Sequence, residues 1–330
     1  MSSAALTEVV AFGKAAGFDS VLISRHGWIV AEAYYAPFRV GERHVLNSAT
    51  KGVIGTLVGM AAQQGLLDPE QRVLEIFSDR TIANVDDDKR AITIKHLLDM
   101  TSGFAWTEPL TGAPETAIEM FHSPDRIQFV LDRPMATPPG ATFNYNSGNS
   151  HLLSAILTKK TGLNSLVFAQ QQLFGPLGIA DVEWESDQQG TPLGGRGLHL
   201  QPRDMAKIGY LYLRNGSWDG HQMLAPAWIE QIRNATIDMR MFGRSEIYYA
   251  NQSWTVPGRG AYMSVGFHSQ IILVVPGPDL VVVITGHAPP HFAGIFDTLL
   301  AAVKSDTPLP ANAKAHATLN EAINSAAKKG

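Results

Sequence analysis

Short apolar runs of strand length mark both ends of this chain, and segments with helical periodicity fill its middle. Residues 8–16 suit a short helix. Two strand-like runs follow at 20–24 and 28–34, joined by Arg25-His26-Gly27, a hairpin-type turn in which the glycine supplies positive φ. Runs at 270–275 and 280–285 make a second β-rich pair, with Pro276-Gly277-Pro278-Asp279 as the turn between them. A last apolar-periodic helix covers 293–303. The tail beyond Pro308, rich in Ala, Lys and Asn, is expected to be partly disordered. From Lys51 to about Asp187 the periodic segments read mainly as helices punctuated by Pro and Gly. Strands at both termini with helices between them predict an α+β fold, one sheet built from both ends of the chain with a helical insertion. There is no internal repeat.

A chain of 330 residues, 45% hydrophobic and 17% charged, suits one large two-lobed domain or two ordinary ones. The net charge of −4, with no basic run, gives no general attraction to nucleic acid or to an anionic membrane surface. No window approaches the roughly 18 apolar residues of a membrane span. The absence of cysteine removes disulfides, thiolate nucleophiles and Cys-ligated metals. The 11 histidines are scattered without metal-ligand spacing. Nor is there a G-x-S-x-G elbow, an H-E-x-x-H helix or a P-loop. The start, Met1-Ser2-Ser3-Ala4-Ala5, lacks a positive n-region and Lys14 interrupts the first apolar stretch. It does not read as a signal peptide, so a cytoplasmic location is expected unless a leader has been removed.

Three segments carry candidate chemistry. The first is Ser48-Ala49-Thr50-Lys51. As a bare S-x-x-K pattern it is expected roughly once by chance in such a chain, and Ser325-Ala326-Ala327-Lys328 in the tail matches too. Context separates the two. Asn47 is a good N-cap, which would put Ser48 in the first turn of a helix and Lys51 one turn on, on the same face. The run behind Lys51 is apolar nearly all round, with no charge until Asp68. Desolvation there would lower the amine's pKa, so that a neutral Lys51 could take the proton of Ser48 as it attacks a carbonyl. The alternative is a lysine that snorkels to the surface beside a capping serine.

The second segment runs Tyr145-Asn146-Ser147-Gly148-Asn149 after Pro138-Pro139-Gly140. It places Tyr145 on a loop before a helix at 151–156, where its hydroxyl can relay a proton to a leaving group or simply pack. The third is Ser264-Val265-Gly266-Phe267-His268-Ser269-Gln270, leading into an apolar strand. Gly266 permits close approach of a ligand or another backbone, and an exposed N–H here, with that of Ser48, would make an oxyanion hole. Alone, this segment reads as an edge strand.

In this order and spacing the three segments resemble the penicillin-recognising serine hydrolases, in particular the class C β-lactamase-like esterases and 6-aminohexanoate-dimer hydrolases. Ser48-Ala-Thr-Lys51 matches the S-x-x-K nucleophile and base, and Tyr145-Asn146-Ser147 the Y-x-N or Y-x-S motif whose tyrosine is the general acid/base. Ile92-Thr-Ile-Lys-His-Leu-Leu-Asp-Met-Thr-Ser-Gly103-Phe-Ala-Trp106 and Leu198-His-Leu-Gln-Pro-Arg203-Asp204-Met-Ala-Lys-Ile-Gly209 also look like stretches of that family. The third motif departs from K-T-G: no lysine precedes a Thr-Gly or Ser-Gly, and Gly266-Phe267-His268-Ser269-Gln270 resembles the G-x-H-G-Q of esterase and amidase branches. Without that cation to hold a substrate carboxylate, a neutral ester or short linear amide is the expected small-molecule substrate.

The resemblance implies an antiparallel sheet flanked by helices plus a mostly helical lobe. We therefore expect a discontinuous sheet domain, 1–66 with 188–330, a helical domain, 67–187, and the site in the cleft between them. It implies an acyl-enzyme on Ser48, Lys51 or deprotonated Tyr145 as first base, and Ser147 as a hydrogen-bonding bridge between those two. Ser48 with Phe267 or His268 would hold the oxyanion, and no metal or organic cofactor is needed. His268 reads equally as a ligand contact or a strand residue, and His287 as structural. An acyltransferase, a slowly turning-over penicillin-binding protein and a binding module that keeps the fold stay open as alternatives.

Overall fold

The computed structural model describes residues 1–108, 116–239, 246–288 and 292–328. Its centre is an eight-stranded sheet in the spatial order Trp28–Tyr34, Phe18–Arg25, Leu280–Gly286, Gln270–Val275, Ala261–Gly266, Ser253–Val256, Tyr248–Ala250, Ile237–Asp238. All neighbours in it are antiparallel. The two ends of the chain meet where Phe18–Arg25 pairs with Leu280–Gly286, Val21 opposite Ile284 and Ile23 opposite Val282. The hairpin at Arg25-His26-Gly27 uses positive φ at His26 as well as at Gly27, the pair of left-handed residues that a tight two-residue turn requires.

The central strands are continuous apolar runs because both faces of the sheet are covered. Side chains alternate between two cores: Leu22, Ile272, Val274, Val281 and Val283 face one, with Val53, Leu57 and Ile208 from helices. Val21, Ile23, Ile271, Leu273, Val282 and Ile284 face the other, with Leu6 and Val10 from the first helix, Ser3–Ala15, and Leu299 and Leu319 from the last two. Those last two helices are Phe292–Ala302 and Ala313–Ala326. The tail, expected to be partly disordered, holds a helix capped by Asn312 that buries Leu319 and Ala326. A low density of apolar residues conceals it; Leu319 and Ala326, with Ala322 and Ile323 partly buried beside them, suffice because a neighbouring helix and the sheet rim already provide the apolar surface.

The segment 264–270, which alone reads as an edge strand, begins in the strand Ala261–Gly266, an interior one because the short strands Ser253–Val256 and Tyr248–Ala250 extend the sheet beyond it. Helices occupy most of the chain between Thr50 and Phe174, from Thr50–Gln63 through Ser147–Thr161 to Ser165–Ala169. Among the described residues no helix is long and apolar enough to cross a membrane.

Thr50–Gln63 is buried through Ala61 and lies unusually close to its neighbours. A Cβ at Gly52 would meet Ser264 Oγ at 2.0 Å, one at Gly55 the carbonyl oxygen of Asn251 at 2.4 Å, and one at Gly59 the Trp228 ring at 2.7 Å. Spaced three and four apart, these glycines form one face of the helix and let its axis press against the sheet. Since a backbone oxygen cannot swing aside, Gly55→Ala should destabilise the protein by about 1–3 kcal/mol, the usual cost of overpacking. Chemical denaturation of the two proteins checks this; equal midpoints would show that the helix can shift.

Candidate active site

Ser48 lies not in the α-helix but in a 3₁₀ turn, Asn47–Ala49, that leads into Thr50–Gln63. Asn47 does not cap the helix. Its φ is +46°, in the left-handed region that Asn tolerates better than most residues, and its side-chain amide donates to the Phe267 carbonyl at 3.0 Å. The nucleophile candidate thus sits on a sharp bend tied to the hairpin that follows Gly266.

Lys51 follows one turn later, buried, and its Nζ has three oxygen partners: Ser48 Oγ at 3.1 Å, Ser147 Oγ at 2.9 Å and the Gly195 carbonyl at 2.9 Å. Burial pushes its pKa down to about 8, with Arg196 adding to the effect and the negative charge of Glu108 opposing it. The snorkelling alternative does not occur. Gly195 reaches the amine because Gly194 and Gly195 carry no side chains: a Cβ at Gly194 would lie 1.8 Å from the Ser150 carbonyl.

Asn146 caps the helix Ser147–Thr161 by accepting from Asn149 N–H, so the polar cluster expected as loop is the helix's first turn. This aims Ser147 inward from the helix head. Tyr145, just before the cap, is buried against Tyr249 and Trp254, with ring centroids 6.5 and 6.1 Å away. Lys51 Nζ stands 4.8 Å from its ring centroid. Burial, then the charge of Glu108, raises the Tyr145 pKa well above the usual phenol value, while the neighbouring Ser48 hydroxyl eases that shift.

Ser147 bridges a different pair from the one expected. Its Oγ joins Lys51 to the Glu108 carboxylate, donating to Oε1 at 2.5 Å, rather than joining Lys51 to Tyr145. Glu108 Oε2 accepts from Ser147 N–H at 2.6 Å and from the Trp106 indole at 2.8 Å. Sequence reasoning missed Glu108, which lies two residues beyond the Trp106 that ends a family-like stretch, in no periodic pattern. It missed Gly195 as well, although a Gly194-Gly195 pair is a signal for close backbone approach.

Gly266 abuts the turn that carries Ser48: a Cβ there would lie 2.1 Å from the Leu46 carbonyl and 3.0 Å from Ala49 N. Phe267, His268 and Ser269 form the turn to the next strand, so an N–H that can face Ser48 comes from a hairpin turn and not from an edge strand. Phe267 is exposed and its ring lies 3.9 Å from that of His268, which has a φ of +61°. His287 is exposed and donates its Nδ1–H to buried Asp19 Oδ1 at 2.8 Å, its ring centroid 6.3 Å from that of His268. Among the described residues no group of three or more His, Asp or Glu could hold a metal ion.

A family model described as Beta-lactamase matches residues 9–303. The chain is 27% identical over 287 residues to the 6-aminohexanoate-dimer hydrolase of Paenarthrobacter ureafaciens, covering 80% of this chain and 71% of that one. It is 27% identical over 179 residues to a monacolin J acid methylbutanoyltransferase of Aspergillus terreus, covering 48% of this chain and 42% of the other. The solved structure of EstCE1, a hydrolase with promiscuous acyltransferase activity, superposes with a TM-score of 0.75 at 16% identity, over 91% of this chain and 98% of that one.

Lys51 also gives the fold a pH dependence. Its pKa falls from 10.5 to about 8 on folding, so the folded state releases this proton at lower pH than the unfolded chain does. Stability therefore falls as pH drops from 10.5 to about 8 and the cost is complete below that. Lys51→Met should be more stable than wild type at pH 7, by at most about 3 kcal/mol because Ser147 and Gly195 lose a donor. That advantage should shrink steadily toward pH 10.5, where the free amine is neutral in both states. Denaturation midpoints across that range check the sign.

Proposed function

Because the chain belongs to the beta-lactamase family of serine hydrolases, we propose that it cleaves a neutral carboxylic ester or short linear amide through an acyl-enzyme on Ser48. The observation that carries this reading is the buried amine of Lys51 at 3.1 Å from Ser48 Oγ, with its other two partners both oxygen. Lys51, depressed to about 8, serves as first base, whereas a raised Tyr145 pKa disfavours a tyrosinate in that role. Ser48 Oγ gives its proton to Lys51 and attacks the carbonyl carbon, while the N–H groups of Ser48 and of Phe267 or His268 hold the oxyanion. Tyr145 then passes its hydroxyl proton to the departing alcohol or amine and recovers one from the Lys51 ammonium. Water releases the acyl group by the reverse sequence, and no cofactor enters.

The strand Ala261–Gly266 carries no lysine, which supports an uncharged substrate rather than a β-lactam whose carboxylate needs a cation. We read residues 67–187 as the helical lobe and 1–66 with 188–330 as the sheet lobe. Glu108, Tyr145 and Ser147 then come from the first and Ser48, Lys51, Gly195 and Gly266 from the second. A second reading, acyl transfer to an alcohol or amine, is favoured by the names of two of the similar proteins.

Wild type should hydrolyse a short-chain p-nitrophenyl ester or a linear amide, with Ser48→Ala at least about 10³-fold slower. Added alcohol or amine that diverts the acyl group into a new ester or amide would favour the transferase. Absence of turnover, with no labelling of Ser48 by a serine-reactive phosphonate, would sink the reading.

A further inference from the structure

We propose that Glu108 is a positioning residue which, through Ser147, fixes the direction of the hydrogen bonds at Lys51 so that the amine's lone pair faces Ser48. This rests on the assignment of Ser48 and Lys51 as nucleophile and base. A neutral primary amine has two N–H groups and one lone pair, and Lys51 has three partners. The Gly195 carbonyl only accepts, so it takes one N–H. Ser147 Oγ can donate or accept, and its choice decides where the lone pair goes. Glu108 removes that choice.

Two N–H groups, of Ser147 and Trp106, converge on Glu108 Oε2, which must therefore accept. Oε1 remains to take the Ser147 hydroxyl proton at 2.5 Å. With its proton committed, Ser147 Oγ accepts the second N–H of Lys51 at 2.9 Å. Only the lone pair is left, and Ser48 Oγ–H, at 3.1 Å, is the partner that can donate to it. The charged or titratable groups around the amine are Glu108, Arg196 and Tyr145. Tyr145 shares the Ser48 hydroxyl with the amine, and Glu108 is the one that acts on it through Ser147.

Glu108→Gln makes the inference testable, because it should do more harm than Glu108→Ala. Since the Oε2 position faces two donors, the amide oxygen must occupy it, which turns the NH₂ toward Ser147 Oγ. Ser147 would then accept from Gln and direct its own proton at Lys51, occupying the lone pair intended for Ser48. Alanine leaves Ser147 free to rotate, and some molecules keep the productive direction. For ester hydrolysis per folded molecule, kcat/KM should follow wild type > Ala > Gln, with Gln about 10²-fold below wild type.

In both variants the acid limb of the pH profile should move to lower pH, because the charge that favours the Lys51 ammonium is gone. Ser147→Ala, which keeps the Glu108 carboxylate, should also lose rate by at least about tenfold. A packing role alone predicts the opposite order, with the isosteric Gln milder than Ala and an unmoved acid limb; either result, or a Ser147→Ala rate within about threefold of wild type, overturns the inference. A wild type without Ser48-dependent turnover would instead remove the underlying assignment.

Discussion

The burial of one amine organises this molecule. Lys51 sits at the head of a helix whose remaining buried positions are apolar or small, and an ammonium in that place is costly unless it is paired or loses its proton. The surroundings supply oxygen partners without lodging a carboxylate directly against it. Gly194 and Gly195 bring in a carbonyl, the cap at Asn146 turns Ser147 inward, and Glu108 stands one hydroxyl away. A carboxylate in direct contact would hold the proton on the amine. At one remove it orients the hydroxyl and leaves the amine able to give the proton up.

The same burial acts in opposite directions on the two groups flanking Ser48. It lowers an amine's pKa and raises a phenol's, so Lys51 and Tyr145 are both driven toward their neutral forms. In the proposed reaction the first is then a base and the second an acid at the same pH, which is the division of labour that acyl transfer needs. The charge of Glu108 reinforces this for Tyr145 and moderates it for Lys51. Gly266, whose Cβ would strike the Leu46 carbonyl, closes the arrangement by bringing the Phe267 turn to the bend that carries Ser48.

Much of this was legible in the residues. Apolar runs announced the four long strands, three of them buried on both faces and Trp28–Tyr34 only toward its end, and the uncharged helix behind Lys51 distinguished Ser48-Ala-Thr-Lys51 from its chance copy in the tail. What stayed hidden has physical reasons. The strands between 237 and 256 are two to four residues long, too short for a period to register, and without them 264–270 reads as an edge. Asn47 and Asn146 are both capping residues by type, but only the second caps; the first is recruited by the distant Phe267 carbonyl. Glu108 and the Gly195 carbonyl belong to the site through tertiary contacts alone.

In the proposed reaction Lys51 deprotonates Ser48, and the rate at which a serine-reactive phosphonate labels Ser48 reads this step without requiring knowledge of the substrate. In wild type the second-order rate constant should rise with pH and level off above about 8, the pH at which the buried amine loses its proton. In Lys51→Met, folded and carrying the same serine, it should be slow and lack that rise. Equal rates and the same pH profile in the two proteins would show that Lys51 is not the base.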